Sequence, residues 1–227
     1  MERVDSWELA GTARRPGALL AAYYDGVTAI CQLAARFTSA AWNAPTPCPE
    51  WRARDLAGHL RCVADDYHEY LDDAPVSRYA RLLGSGPHPQ TLARKLARQN
   101  AAELAVLPDG PPGEHVAVFA ATARAYARRL VSVWQLPHHQ YLGQVVTVAG
   151  MAGAACAEWH LHAWDLARAL GAEHRPADPA VVLAGWQAGM VHLPAGHPVT
   201  GRRGHPADPW DLVLLASGRL PGSPVPA

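Results

Sequence analysis

The chain has 227 residues, 49% of them hydrophobic and 18% charged, which suits one large domain, or one domain with an appendage, and excludes a disordered chain. Its 20 basic and 20 acidic residues cancel, which argues against a broad nucleic-acid or anionic-membrane footprint. The most apolar stretch, Ala18 to Phe37, is interrupted by Asp25 and Arg36 and is too polar to span a bilayer.

The N-terminus carries Asp5 and Glu8 and does not read as a signal peptide. Cys31, Cys48, Cys62 and Cys156 are scattered without a CxxC pair, so free thiols in a cytoplasmic protein are expected. From Pro16, Leu20, Tyr23, Tyr24, Val27, Ile30, Cys31, Ala34 and Phe37 recur at steps of three and four, which predicts an amphipathic helix. The run Asn43 to Pro49 contains three prolines and cannot continue it.

A second helix is predicted from about Arg52 to Asp72, with Leu56, His59, Leu60, Val63 and Tyr67 on its inner side. Arg52 stands at its N-cap, three residues before Asp55. Ser or Thr there would complete a capping box, so Arg52→Ser is expected to stabilise the helix. Gly84 to Pro87 marks a loop, and a third helix is predicted from Gln90 to Leu107.

The run Pro108 to Gly113 is the strongest breaker in the chain. A helix through Val116, Phe119, Ala123, Tyr126 and Leu130 follows and ends before Pro137. Residues 137 to 147 read as a loop, with a strand-like alternation only from Gln144 to Val148. The last long helix runs from Val148 to Leu170, with Gly171 where a C-terminal cap belongs. After it, 179 to 192 and Trp210 to Arg219 can form shorter helices, and the final eight residues are expected to fray. The fold class is therefore mainly α, a bundle from 1 to 171 with a short, mostly helical extension from 172 to 227.

Chemistry concentrates in the helix Val148 to Leu170. Glu158 and His162 are i and i+4, stacked on one face, and Asp165 follows one turn later. A carboxylate and an imidazole so placed can share a divalent metal, or they can form a solvated pair. His160 points away from that face. His59, on the inner side of the second helix, reads alone as a core histidine. Paired with Glu158 and His162 it completes three N/O donors, the pattern of an open catalytic zinc site.

The motif C-P-x-W-x-x-R-D-L-x-x-H-L at Cys48 to Leu60, with E-x-x-x-H-x-W-D-L-A-R-A from Glu158, resembles the mycothiol-dependent maleylpyruvate isomerase family. That family belongs to the DinB-like group of metal-binding four-helix proteins. The stretch from Pro206 to Arg219 looks like its common ending.

The resemblance implies a DinB-like four-helix bundle with His59, Glu158 and His162 as metal ligands. It also implies zinc, a low-molecular-weight thiol such as mycothiol, and a reaction that isomerises or adds to an electrophilic small molecule. The sequence departs from the family pattern at Arg52, Trp159 and His160, and its short C-terminal part leaves little room for a separate α/β domain.

Asp165 and Arg219 are the candidate catalytic residues: Asp165 to orient His162 or relay a proton, Arg219 to bind a substrate carboxylate. Each has a bland reading, a solvated carboxylate and an arginine without a special role. Cys62 and the indoles Trp164 and Trp186 read as packing residues, and the histidines of the 192–205 loop as exposed. A thiol-independent metal-dependent lyase, cyclase or hydrolase, and a non-catalytic metal-binding bundle, are the competing functions. Monomer and homodimer are equally compatible with the sequence.

Overall fold

The first long apolar stripe becomes helix α1, Pro16–Ala34, which buries Leu19, Tyr23, Val27 and Ile30 on one face. The computed structural model describes residues 16–48, 51–72, 89–141, 144–190 and 208–220. Beyond a 3-10 turn at Ala41–Asn43, helices α2 (Ala53–Asp72), α3 (Pro89–Val106), α4 (Pro112–Leu130) and α5 (Val148–Ala169) follow. Helices α1, α2, α4 and α5 form a bundle of the DinB-like, mainly α kind, and α3 lies against α2. Helices α6 (Pro179–Gly189) and α7 (Pro209–Ala216) complete the described chain.

Helix α5 is the axis of the assembly, because it is buried nearly all round, its polar side chains His160, His162 and Asp165 included. The Thr147 side chain caps its start by accepting from the Gly150 N–H at 3.2 Å. Its end closes with paired bonds, Gly171 N–H to Arg168 O at 3.0 Å and Ala172 N–H to Ala167 O at 2.8 Å. Trp159, fully buried, is the centre of the core. Its indole meets the rings of Tyr23, Tyr67 and Phe119 edge-on at 6.0, 5.8 and 4.9 Å. Such pairs contribute about 0.5–1.5 kcal/mol each beyond the area they bury.

Helix α6 packs against α5 with backbone nearly touching backbone. A Cβ added at Gly153 would sit 2.7 Å from the Gly185 Cα, so both positions require the missing side chain. Asp178 caps α6 through the Val181 N–H, and Asp208 caps α7 through the N–H groups of Trp210 and Asp211.

Within the 137–147 segment, expected as a loop with a strand-like run only from Gln144 to Val148, residues 137–141 and 144–147 pair as antiparallel strands. Strand β1 (Pro137–Tyr141) pairs with β2 (Gln144–Thr147), with His139 opposite Val146 and an irregularity between Pro137 and His139. The β-branched run Val145-Val146-Thr147 supplies the strand preference. Its partner strand is rich in Pro and His, which hid the pairing. His138 and His139 are buried there, their Nδ1 atoms 2.8 Å apart, one donating to the other.

The N-terminus of α2 also differs from expectation. Asp55 Oδ2 accepts the Arg52 backbone N–H at 2.9 Å, which is one half of a capping box. The Arg52 guanidinium donates to the Asn43 carbonyl at 2.9 Å, tying the 3-10 turn to the helix. The Gly84–Pro87 loop, the 192–205 histidines, Pro206, Ala207 and nearly all of the frayed end lie outside the described residues.

Candidate metal centre

Glu158, His162 and Asp165 occupy one face of α5, as their spacing dictates, and α2 brings His59 to the same place. Glu158 Oε1 stands 3.9 Å from both His59 Nε2 and His162 Nε2. That is too long for a hydrogen bond and fits within the roughly 4 Å that two coordination bonds of 2.0–2.2 Å span. The other carboxylate oxygen, Oε2, accepts from the Tyr67 hydroxyl at 3.0 Å, so Oε1 is left to face the two imidazoles.

The donor atoms of His59, Glu158 and His162 all lie within 4.8 Å of one another. One carboxylate oxygen and two imidazole nitrogens in that arrangement fit a divalent cation and leave a coordination position for a further ligand.

His162 is oriented from behind. Its Nδ1–H donates to Asp165 Oδ2 at 3.0 Å, which fixes the tautomer with Nε2 toward Glu158. Asp165 is fully buried and accepts in addition from Arg219, Nε to Oδ1 at 2.8 Å and Nη2 to Oδ2 at 2.6 Å, and from the Cys48 thiol at 3.3 Å. Burial alone would raise the Asp165 pKa, but the bonds from His162 and Arg219 hold the carboxyl well below its ordinary range. Burial likewise pushes His162 down, yet Asp165, Cys48 and Glu158 together raise it well above an ordinary histidine. The same balance lowers Glu158, where burial is outweighed by His162.

His59 has a different support. Its ring packs against Trp51 at 4.3 Å, and its buried Nδ1 has no hydrogen-bond partner among the described residues. Burial, with His162 beside it, pushes its pKa down to about 3, so it is neutral and its lone pair is available. A cavity of about 190 Å³ opens onto His59 and Glu158 and is walled by α2, α3, α5 and the end of α6.

Asp165 occupies the Nε/Nη2 edge of the guanidinium of Arg219, the residue expected to bind a substrate carboxylate. A C-terminal turn puts it there. Gly218 adopts φ +77, which lets the Arg219 N–H return to the Leu214 carbonyl at 2.8 Å just past α7. Cys48, His162 and Asp165 also converge within 4.8 Å, but Arg219 already supplies the positive charge at that cluster.

His160 is buried away from the site, bonded to the Ala22 carbonyl at 2.9 Å and to His174 at 3.0 Å. Cys62 is half-buried, its thiol pushed up to about 11 by burial and by Glu103. Sequence reasoning placed Tyr67 on the inner side of α2 but gave no part in the site to it, to Cys48 or to Trp51. Cys48 and Trp51 stand inside the quoted motif, and Tyr67 lies two turns from His59 on the same face of α2.

Fold and site together define a helical bundle with a His/Glu/His donor set at a small cavity. The chain belongs to the family described as the mycothiol maleylpyruvate isomerase N-terminal domain, whose model matches residues 6–167. No curated protein and no solved structure shows a significant match to it. Among the described residues, no helix is long and apolar enough to cross a membrane.

Proposed function

We propose that this chain is a zinc-dependent enzyme of the mycothiol-dependent isomerase or S-transferase type, acting on an electrophilic small molecule in the cytoplasm. The observation that carries the reading is the convergence of His59, Glu158 and His162 on one point at the end of a cavity. Membership of the isomerase family supports it from a second direction.

A divalent cation held there supplies Lewis acidity, keeping a thiol or a water deprotonated at neutral pH. The chain's own residues do the rest. Tyr67 turns Glu158 so that one oxygen faces the imidazoles. Asp165 holds the Nδ1–H of His162, and Arg219 keeps Asp165 ionised. The extension from residue 172 thus serves the site by carrying Arg219. A borderline-soft ion such as zinc accepts sulfur as readily as nitrogen, which suits a thiol co-substrate. Four free cysteines suit a reducing compartment.

Calorimetry of the zinc-loaded protein with mycothiol, or with a simpler cysteinyl thiol, tests this. Run in two buffers of different ionisation enthalpy, it should show proton release, since a free thiol with a pKa near 8.5 must lose its proton. The Glu158→Ala protein should show neither binding nor release. A zinc-loaded protein that ignores thiols at millimolar concentration yet turns over a metabolite would be a thiol-independent lyase, cyclase or hydrolase instead.

A further inference from the structure

The two histidines of the donor set are held by different means. His162 donates its Nδ1–H to the buried Asp165 carboxylate, whereas the buried His59 Nδ1 has no hydrogen-bond partner among the described residues. A metal-binding imidazole almost always has its second nitrogen bonded, which fixes both tautomer and ring orientation. For His59 that orientation, with Nε2 turned to Glu158 Oε1, has to come from packing.

The Trp51 indole supplies it. Its ring centre lies 4.3 Å from that of His59, with 45° between the planes, and His162 meets His59 edge-on at 5.1 Å. Trp51 is itself anchored by the segment that leads into α2. Its N–H donates to the Cys48 carbonyl at 3.0 Å, and its own carbonyl accepts from the Thr46 N–H at 3.2 Å and the Thr46 hydroxyl at 2.8 Å. Beside these bonds, the Ala53 N–H donates to the Ala44 carbonyl at 3.0 Å, and Pro45 and Arg52 form an isolated antiparallel bridge. The indole is therefore a fixed plate against a ring that no hydrogen bond at Nδ1 restrains.

The stack also has an electrostatic direction. An aromatic face carries the negative part of its quadrupole, and an imidazole bound to a cation takes on part of the positive charge. The contact is thus more favourable with metal bound than without, so it adds to metal affinity as well as to packing.

We infer that Trp51 is the positioning residue for His59, taking by ring packing the part that Asp165 takes for His162 by a hydrogen bond. The inference rests on the reading of His59, Glu158 and His162 as the donor set.

Three variants test it. Trp51→Phe keeps an aromatic face, while Trp51→Leu and Trp51→Met keep apolar bulk without one, so a failure of either to fold leaves the other. Circular dichroism checks folding. Competition against a chromophoric chelator should show zinc binding about tenfold or more weaker in Trp51→Leu and Trp51→Met, and within about threefold of wild type in Trp51→Phe. Cobalt(II) in place of zinc should keep its visible spectrum in Trp51→Phe and change it in the other two, because the spectrum follows coordination geometry. A purely structural role would lower thermal stability and move neither reading. Folded Trp51→Leu or Trp51→Met with wild-type zinc affinity and cobalt spectrum overturns the inference, and so does a Trp51→Phe protein as weak as they are.

A metal-free measurement separates the inference from the donor-set reading. In protein with isotope-labelled histidine, the His59 ring protons, assigned with His59→Gln, should form one set displaced by the Trp51 ring current. In Trp51→Leu or Trp51→Met that set should return toward ordinary positions and broaden. This result upholds the inference where the wild type binds no metal, and the donor-set reading has then failed by itself. If the His59 signals are the same with and without the indole, the inference is overturned, while bound zinc leaves the donor set standing.

Discussion

Arg219 holds Asp165 with both arms of its guanidinium, Nε to Oδ1 at 2.8 Å and Nη2 to Oδ2 at 2.6 Å, at a point 54 residues further along the chain. Asp165 in turn holds His162, so the turn that follows the last described helix is connected to the metal-type donors through these two links. The buried carboxylate is tolerable only because it is fully bonded, since an isolated charge there would cost several kcal/mol. Arg219 is thus a positioning residue for the site.

Arg219→Lys keeps the charge but loses the fork. Lys presents a point charge and cannot satisfy both Asp165 oxygens in one plane. Metal affinity should fall by about 10–100-fold, as is usual when the support of a metal-binding histidine is weakened. Arg219→Ala should in addition destabilise the fold by up to about 3–5 kcal/mol, because it leaves the buried Asp165 carboxylate with His162 and Cys48 as its only named partners. Competition against a chromophoric chelator measures the first, and denaturant unfolding the second. Unchanged zinc affinity in Arg219→Lys would mean that His162 is held well enough without the arginine.

The donor set makes a sharper prediction. His59→Ala, Glu158→Ala and His162→Ala should each remove most bound metal, measured by elemental analysis of purified protein. His160→Gln should retain a full equivalent, because His160 faces Ala22 and His174 instead. Affinity should also rise with pH. His162 is held protonated well above the ordinary histidine range, and a cation must displace that proton. Each displaced proton gives about a tenfold gain per pH unit below that pKa.

Acid should unfold the protein through its buried histidines. Burial lowers His59 to about 3, and His138 and His174 to about 4. In the unfolded chain the same groups titrate near 6.5. Between those values the unfolded state binds more protons, so the stability these three groups contribute is full above about pH 6.5 and is lost as pH falls toward 4. Each such group contributes at most about 1.4 kcal/mol per pH unit. Denaturant midpoints of metal-free protein from pH 7 to pH 4.5 should fall steadily, and His138→Gln should flatten the slope.

The helices were legible because their signals are local. The stripe Tyr23, Val27, Ile30 and the capping Gly171 can be read from spacing alone, although the buried leucine at its start is Leu19 and not the expected Leu20, and Tyr24 is exposed. So can the shared face of Glu158, His162 and Asp165, since three and four residues make a helical turn. What spacing does not carry is contact between distant segments. The bond from Arg219 to Asp165 depends on where α7 lands, and Gly218 signals a helix end without naming the neighbour. The pairing of 137–141 with 144–147 escaped because two buried histidines and a proline replace the usual alternation. Cys48 was visible only as a letter in a motif, and its bond to Asp165 crosses 117 residues.

The start of α2 gives the last test, and it reverses a sequence-level expectation. Placing Ser at 52 supplies a side-chain acceptor for free N–H groups, which by itself would stabilise by about 0.5–1 kcal/mol. The structure sets against this a bond that Ser cannot make, from the Arg52 guanidinium to the Asn43 carbonyl at 2.9 Å. An exposed hydrogen bond contributes about 0.5–1.5 kcal/mol, so the two effects cancel to within about 0.5 kcal/mol. The capping weight lies instead on Asp55, whose carboxylate accepts the Arg52 backbone N–H. Asp55→Ala should therefore cost about 1 kcal/mol, while Arg52→Ser is nearly neutral. Urea unfolding of the two variants and of their double mutant decides it. If Arg52→Ser stabilised by a full 1 kcal/mol, the bond to Asn43 would contribute nothing. If Asp55→Ala were neutral, the half capping box would be ornamental.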